Sequence, residues 1–129
     1  MATQEYEELK GFRVEVDKVI YVPHLDSPPE KPHPFVYFIT IINGSTKTVT
    51  VAGRKWVVTE ENGEITVVEG GGVVGERPRL KPGQRFSYNS YHVLAENGSA
   101  EGSFFGVTGE GTLVRAKIPY FRMQIPRGG

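Results

Sequence analysis

The sequence predicts an all-β sandwich of about eight antiparallel strands. Apolar residues recur with a period of two, long stretches at helical spacing are missing, and turn dipeptides interrupt the chain at short intervals. A sandwich fits better than a barrel because the expected strands mix one-sided with two-sided burial.

Taken in order, GFRVEVDKVIYV alternates Phe12, Val14 and Val16 with Arg13, Glu15 and Asp17, giving a strand with one wet face. FVYFITII, Phe35 to Ile42, is rich in β-branched and aromatic residues, as a central strand covered on both sides would be. KTVTVA, RKWVVTE, EITVVE, QRFSYNSYHVL, GSFFGVT, TLVRAKI and YFRMQI follow, each short and bounded by turn residues. Asn43-Gly44, Asn62-Gly63 and Asn97-Gly98 are expected hairpin turns of type I′, in which both central residues take positive φ. Pro82-Gly83 suits a type II turn, and Gly109-Glu110-Gly111 another tight reversal. Trp56 shares its strand face with Val58 and is expected in the core. Between the first two long strands, the twelve residues from Pro23 to Pro34 include five prolines. That density forbids regular structure and favours an extended excursion, a long loop of the kind that often carries function.

Composition narrows the function. A chain of 129 residues is one domain with one core. Fifteen basic and fifteen acidic residues cancel, leaving no general electrostatic footprint for nucleic acid or an anionic membrane. Cysteine is absent, so disulfides, thiolate metal sites and cysteine nucleophiles are excluded, in keeping with a cytoplasmic setting. The acidic start MATQEYEELKG has no apolar region of a secretory signal, and Asn43-Gly-Ser and Asn97-Gly-Ser are read as turns rather than glycosylation sites.

Gly70-Gly71-Gly72-Val73-Val74-Gly75 fits the G-x-G-x-x-G pattern of pyrophosphate-binding loops. In a dinucleotide fold such a loop opens a helix, whose N-terminus meets the phosphates. Here ERPRLKPGQRF follows, and Pro78 and Pro82 prevent that helix, while no Gly-Lys-Ser/Thr completes a P-loop. Two readings remain. The glycines serve a sharp crossing or bulge, which is the preferred reading. Alternatively, Gly70, Gly72 and Gly75 form a nest of N–H groups for a phosphate or nucleotide, with charge added by Arg77 and Arg79.

No metal site is expected. His24, Asp26, Glu30 and His33 match no compact ligand motif and are read as solvated loop residues. Tyr91-His92 lacks a serine or aspartate in a triad arrangement, and no carboxylate pair stands out. With no catalytic residue and no cofactor implied, the chain is not expected to be an enzyme.

Several runs resemble one family. Arg54-Lys55-Trp56-Val57-Val58-Thr59 looks like its R-x-W-x-[IV] strand. Val68 to Pro78, Leu80 to Ser90, Gly102-Ser103-Phe104 and Ile118 to Met123 add the combination G-x-G-V-V-G-E-x-P with x-P-G-x-x-F-x-Y-x-S. Together these are similar to the ApaG domain over about Gly11 to Pro126, leaving 1–10 and 127–129 as tails. The resemblance implies an immunoglobulin-like, fibronectin type III-like sandwich. Bacterial members are small stand-alone proteins, often encoded beside a diadenosine tetraphosphate hydrolase and linked to magnesium and cobalt efflux. Eukaryotic members act as protein-interaction modules. The family's glycine motif falls on Gly70, Gly72 and Gly75, from which weak pyrophosphate binding has been inferred, whereas Arg77 and Arg79 are not fixed by the pattern. A departure at Ala100-Glu101-Gly102, where many members carry Met before the glycine, implies different packing there. The expected function is therefore non-catalytic protein binding, through the sheet faces and the Pro23–Pro34 loop. Weak phosphate binding or a part in cation efflux are the alternatives, and open strand edges leave room for a homo-oligomer.

Overall fold

The computed structural model describes residues 5–127, which fold into an all-β sandwich without a helix. The strands are β1 (Glu7–Glu8), β2 (Phe12–Tyr21), β3 (His33–Asn43), β4 (Val49–Glu60), β5 (Ile65–Gly71), β6 (Arg79–Leu80), β7 (Arg85–Leu94), β8 (Gly98–Thr108) and β9 (Leu113–Met123). The smaller sheet has the order β2-β3-β7. The larger runs β1-β9-β8-β4-β5, with β6 pairing β4 beyond the end of β5. Pairing is antiparallel except for β1, whose Glu7 and Glu8 run parallel to Val114 and Arg115 of β9. The sheet thus recruits part of the segment read as an N-terminal tail.

Inward-facing residues of the two sheets build the core. Phe35, Tyr37, Ile39 and Ile41 of β3 meet Val49, Val51, Trp56 and Val58 of β4, Phe104 of β8 and Val114, Ala116 and Ile118 of β9. Trp56 is buried as expected, its ring 4.7 Å from the rings of Tyr37 and His92 and 5.9 Å from that of Phe121.

Two pairs of expected strands are single ones. KTVTVA and RKWVVTE merge into β4 across a register shift between Val51 and Gly53, so a bulge at Ala52 joins what looked like two elements. TLVRAKI and YFRMQI merge into β9, where the register jumps between Ala100 and Gly102 of β8 and the extra residue falls at Pro119–Tyr120. A strand accommodates proline at such a bulge because the missing N–H removes no ladder bond there.

The type I′ expectation for Asn-Gly fails at all three sites, since none of these asparagines takes positive φ. At Asn43 and Asn97 the chain changes sheets, so neither closes a hairpin. Asn43 is instead a buried tie: Nδ2 donates to Lys47 O at 2.7 Å and Leu80 O at 2.8 Å, while Oδ1 accepts from Ser45. Asn62-Gly63 does turn β4 into β5, with Gly63 alone at positive φ. Pro82-Gly83 makes the expected tight turn, closed by Gln84 N donating to Lys81 O at 3.0 Å.

The proline-rich connection is more structured than its composition implies. His33 and Pro34 belong to β3, and Pro34 is fully buried. Lys31 bonds Glu60 at 2.6 Å and Glu64 at 3.0 Å, and the Tyr91 hydroxyl donates to Asp26 O at 3.0 Å.

Candidate functional site

The glycine motif sits where β4 changes partner. β4 pairs first with β6, through Val49 and Thr50, and then with β5, from Gly53 onward. After β5 the chain makes a short excursion before rejoining the same edge of β4 as β6. Gly70 and Gly71 therefore end β5, and the excursion begins at Gly72, whose N–H donates to Ala52 O at 2.7 Å. Val73 N donates to Glu76 O at 2.7 Å and Glu76 N returns to Val73 O at 2.9 Å, closing a two-residue hairpin. Its central residues, Val74 and Gly75, have φ of 43° and 82°. Those are the signs of a type I′ turn, here on Val-Gly rather than Asn-Gly.

This arrangement serves the sandwich. Val73 plugs the core. Gly72 has φ of 68°, and a Cβ there would lie 2.5 Å from Glu76 O, so both the handedness and the space demand glycine. The N–H groups of Gly72, Val73 and Glu76, which an anion nest would use, already donate to carbonyls. Arg54 Nη1 donates to Gly71 O at 3.1 Å and Gly72 O at 3.2 Å, so carbonyl oxygens converge here on a cation. Arg77 is exposed and passes beside Gly71. Gly70, Gly72, Gly75 and Arg77 are thus neighbours, but the N–H groups of Gly72, Val73 and Glu76 between them are already spent.

Sequence reasoning named the sheet faces but did not resolve the more open feature, which lies on the solvent face of the larger sheet and is bordered by Gly70 of the glycine motif. Alternation opposite buried Trp56, Phe104 and Ala116 puts Lys55, Val57, Phe105, Arg115 and Lys117 on that face. The Phe105 ring lies 4.6 Å from that of Tyr6, and with Gly53, Val107 and Leu113 these residues line a cavity of about 470 Å³. A second depression of about 590 Å³ lies on the other side of Phe105, lined by Val57, Lys117 and Tyr120. Phe105 and Lys55 border both, as an aromatic ridge with basic neighbours. The sequence signal was there, in the small residues Ala52-Gly53 opposite Phe105, but only the register aligns them. Gly102 shows a similar constraint, since a side chain there would collide with the Lys55 carbonyl.

His92 lies in the aromatic cluster. Burial pushes its pKa down to about 4, and its Nε2, like Trp56 Nε1, makes no hydrogen bond. His33 is paired with the Tyr21 hydroxyl at 2.8 Å. Among the described residues no three His, Cys, Asp or Glu side chains group to hold a metal ion, and no helix is long and apolar enough to cross a membrane.

Comparison with known proteins matches residues 23–108 to the ApaG domain. Protein ApaG of Shewanella sediminis is 41% identical over 117 residues, covering 90% of this chain and 92% of that protein. Protein ApaG of Aromatoleum aromaticum is 37% identical over 122 residues, covering 93% and 96%. An X-ray structure of a Northeast Structural Genomics Consortium target superposes with a TM-score of 0.80 at 36% identity, covering 90% of this chain and 88% of that one.

Proposed function

Since the chain belongs to the ApaG domain family, we propose that it is a non-catalytic module that binds a protein partner on the solvent face of its larger sheet. The strand order supports the finer fibronectin type III-like reading, with β2, β3 and β7 in one sheet and β5-β4-β8-β9 consecutive in the other. The observation that carries the binding reading is the ridge of Phe105 between two depressions. A sandwich needs no apolar cavity on its wet face, and aromatic and arginine side chains are the groups enriched in interface centres. Lys55 is shared with Glu69 and Glu101 also lines the face, but Arg115 and Lys117 leave it a basic excess, so it fits a partner offering an apolar side chain beside a carboxylate. A cysteine-free chain of balanced charge suits a reducing aqueous compartment, and a cytoplasmic setting is part of this proposal.

The test is affinity capture from a reducing bacterial lysate with the wild type and with Phe105→Arg. The reading expects a protein recovered by the wild type and lost with Phe105→Arg, whose unfolding midpoint stays near the wild-type value. Equal recovery by both would place the binding surface elsewhere.

A further inference from the structure

The four sheet edges are not equivalent. β2 carries Arg13, Glu15, Asp17 and Lys18 and a register shift between Val16 and Lys18. β7 presents Arg85, Ser87 and Asn89. β9 is covered by β1 at Val114 and Arg115 and broken by the bulge at Pro119. Charges, bulges, proline and covering strands are the usual protections of an edge. β5 has less of this protection: ITVVEGG carries a single charge, Glu69, contains no Lys, Arg or Pro, and pairs with β4 without a register shift. Its apolar side chains are open on both faces, with Ile65 62%, Val67 52% and Val68 38% exposed.

The ladder also fixes which backbone groups are free. Glu60 N donates to Glu64 O at 2.9 Å, so by alternation Thr66, Val68 and Gly70 turn their N–H and C=O toward β4. Ile65, Val67 and Glu69 turn theirs outward.

We propose that two copies of this chain associate by pairing their β5 strands antiparallel about a two-fold axis at Val67, joining the two larger sheets into one. In this register Val67 faces Val67 of the second copy, Ile65 faces Glu69 and Glu69 faces Ile65, all through outward-turned backbone groups. Up to about six backbone hydrogen bonds form. No like charges meet, because the one charge on the strand, Glu69, lies opposite Ile65 and already pairs with Lys55 at 3.5 Å. The chain's zero formal net charge removes long-range repulsion between copies. The contact is isologous and therefore closed, so it consumes both exposed edges and ends at a dimer. It uses the backbone edge of β5 rather than the Phe105 ridge; Glu69 and Gly70 also border the first cavity, so the Phe105 variant separates the two readings.

Sedimentation equilibrium of the full chain tests this, from about 1 to 200 μM because a single strand pairing is a small interface. The wild type should sediment as a dimer at the upper concentrations. Val67→Lys and Val67→Glu each place like charges on the axis and should each weaken association at least about tenfold. Val67 is half exposed, so the monomer fold tolerates both changes. An equimolar mixture of the two variants should restore the dimer, and Phe105→Arg should leave it unchanged. A wild type that stays monomeric overturns the proposal, as does a dimer undiminished in both Val67 variants or lost in Phe105→Arg. Two monomeric variants that fail to associate when mixed overturn the two-fold register at Val67.

Discussion

Lys31 Nζ donates to Glu60 Oε2 at 2.6 Å, joining the proline-rich connection to the end of β4. Glu60 is nearly inaccessible, and its other oxygen accepts Ala95 N at 2.7 Å and Glu96 N at 2.9 Å. One carboxylate thus ties three segments. Burial pushes its pKa up, but Lys31 and the two N–H groups outweigh that and hold it below the ordinary value. Glu60→Ala should destabilise by about 3 kcal/mol, because it strands the Ala95 and Glu96 N–H groups and leaves Lys31 with Glu64 alone. Lys31→Ala should cost less, about 1–2 kcal/mol, since water reaches Lys31. Urea unfolding of the two variants checks the order. The Glu60 contribution is present above the unfolded carboxylate pKa and fades as pH falls through the lower folded value.

His92 gives a second acid dependence. Burial lowers its folded pKa to about 4, so between the unfolded value near 6.5 and about 4 the unfolded chain binds a proton that the folded one refuses. Its stabilising effect is full above about 6.5 and declines toward pH 4, by up to about 3 kcal/mol. His92→Phe should flatten this part of the stability profile. An unchanged slope between those pH values would refute the assignment.

Trp56→Ala should destabilise by about 3–5 kcal/mol, because the aromatic cluster with Tyr37, His92 and Phe121 loses its centre. Native fluorescence of this single tryptophan should be blue-shifted relative to an exposed indole. A fully solvent-exposed emission maximum would contradict the core placement.

In the turn, Val74 carries positive φ as a β-branched residue that is half exposed. Val74→Asn should therefore stabilise by up to about 1 kcal/mol, as asparagine is suited to the first central position of a type I′ turn. Gly75→Ala should cost about 1 kcal/mol, from φ alone, since nothing crowds its side-chain space. Gly72→Ala should cost more, because it adds the Glu76 carbonyl collision. Thermal midpoints of the three variants should rank in that order.

The strand pattern, the buried tryptophan and the failure of the glycine motif to open a helix were all legible in the sequence. Alternation reports which face a residue takes, and that information is local. Where the chain leaves one sheet for the other is not local. Asn43-Gly44 and Asn97-Gly98 therefore looked like hairpins, although their asparagines bond across the sheet change, Asn97 Oδ1 accepting Ile125 N at 2.6 Å. The real type I′ turn, at Val74-Gly75, violates the residue preference because burying Val73 fixes where the chain must reverse. The ridge at Phe105 depends on register across three strands, which composition cannot supply.

The glycine loop is read as serving the fold, with partner binding proposed on the sheet surface instead. Isothermal titration calorimetry of ATP into the wild type tests this claim most directly, with Gly72→Ala as the paired control. Gly72, Val73 and Glu76 already donate to carbonyls, so binding should be absent or no tighter than about millimolar. Gly72→Ala should lower the unfolding midpoint equally with and without nucleotide. Binding at about micromolar strength, lost in Gly72→Ala while the unfolding midpoint stays unchanged, would contradict the claim.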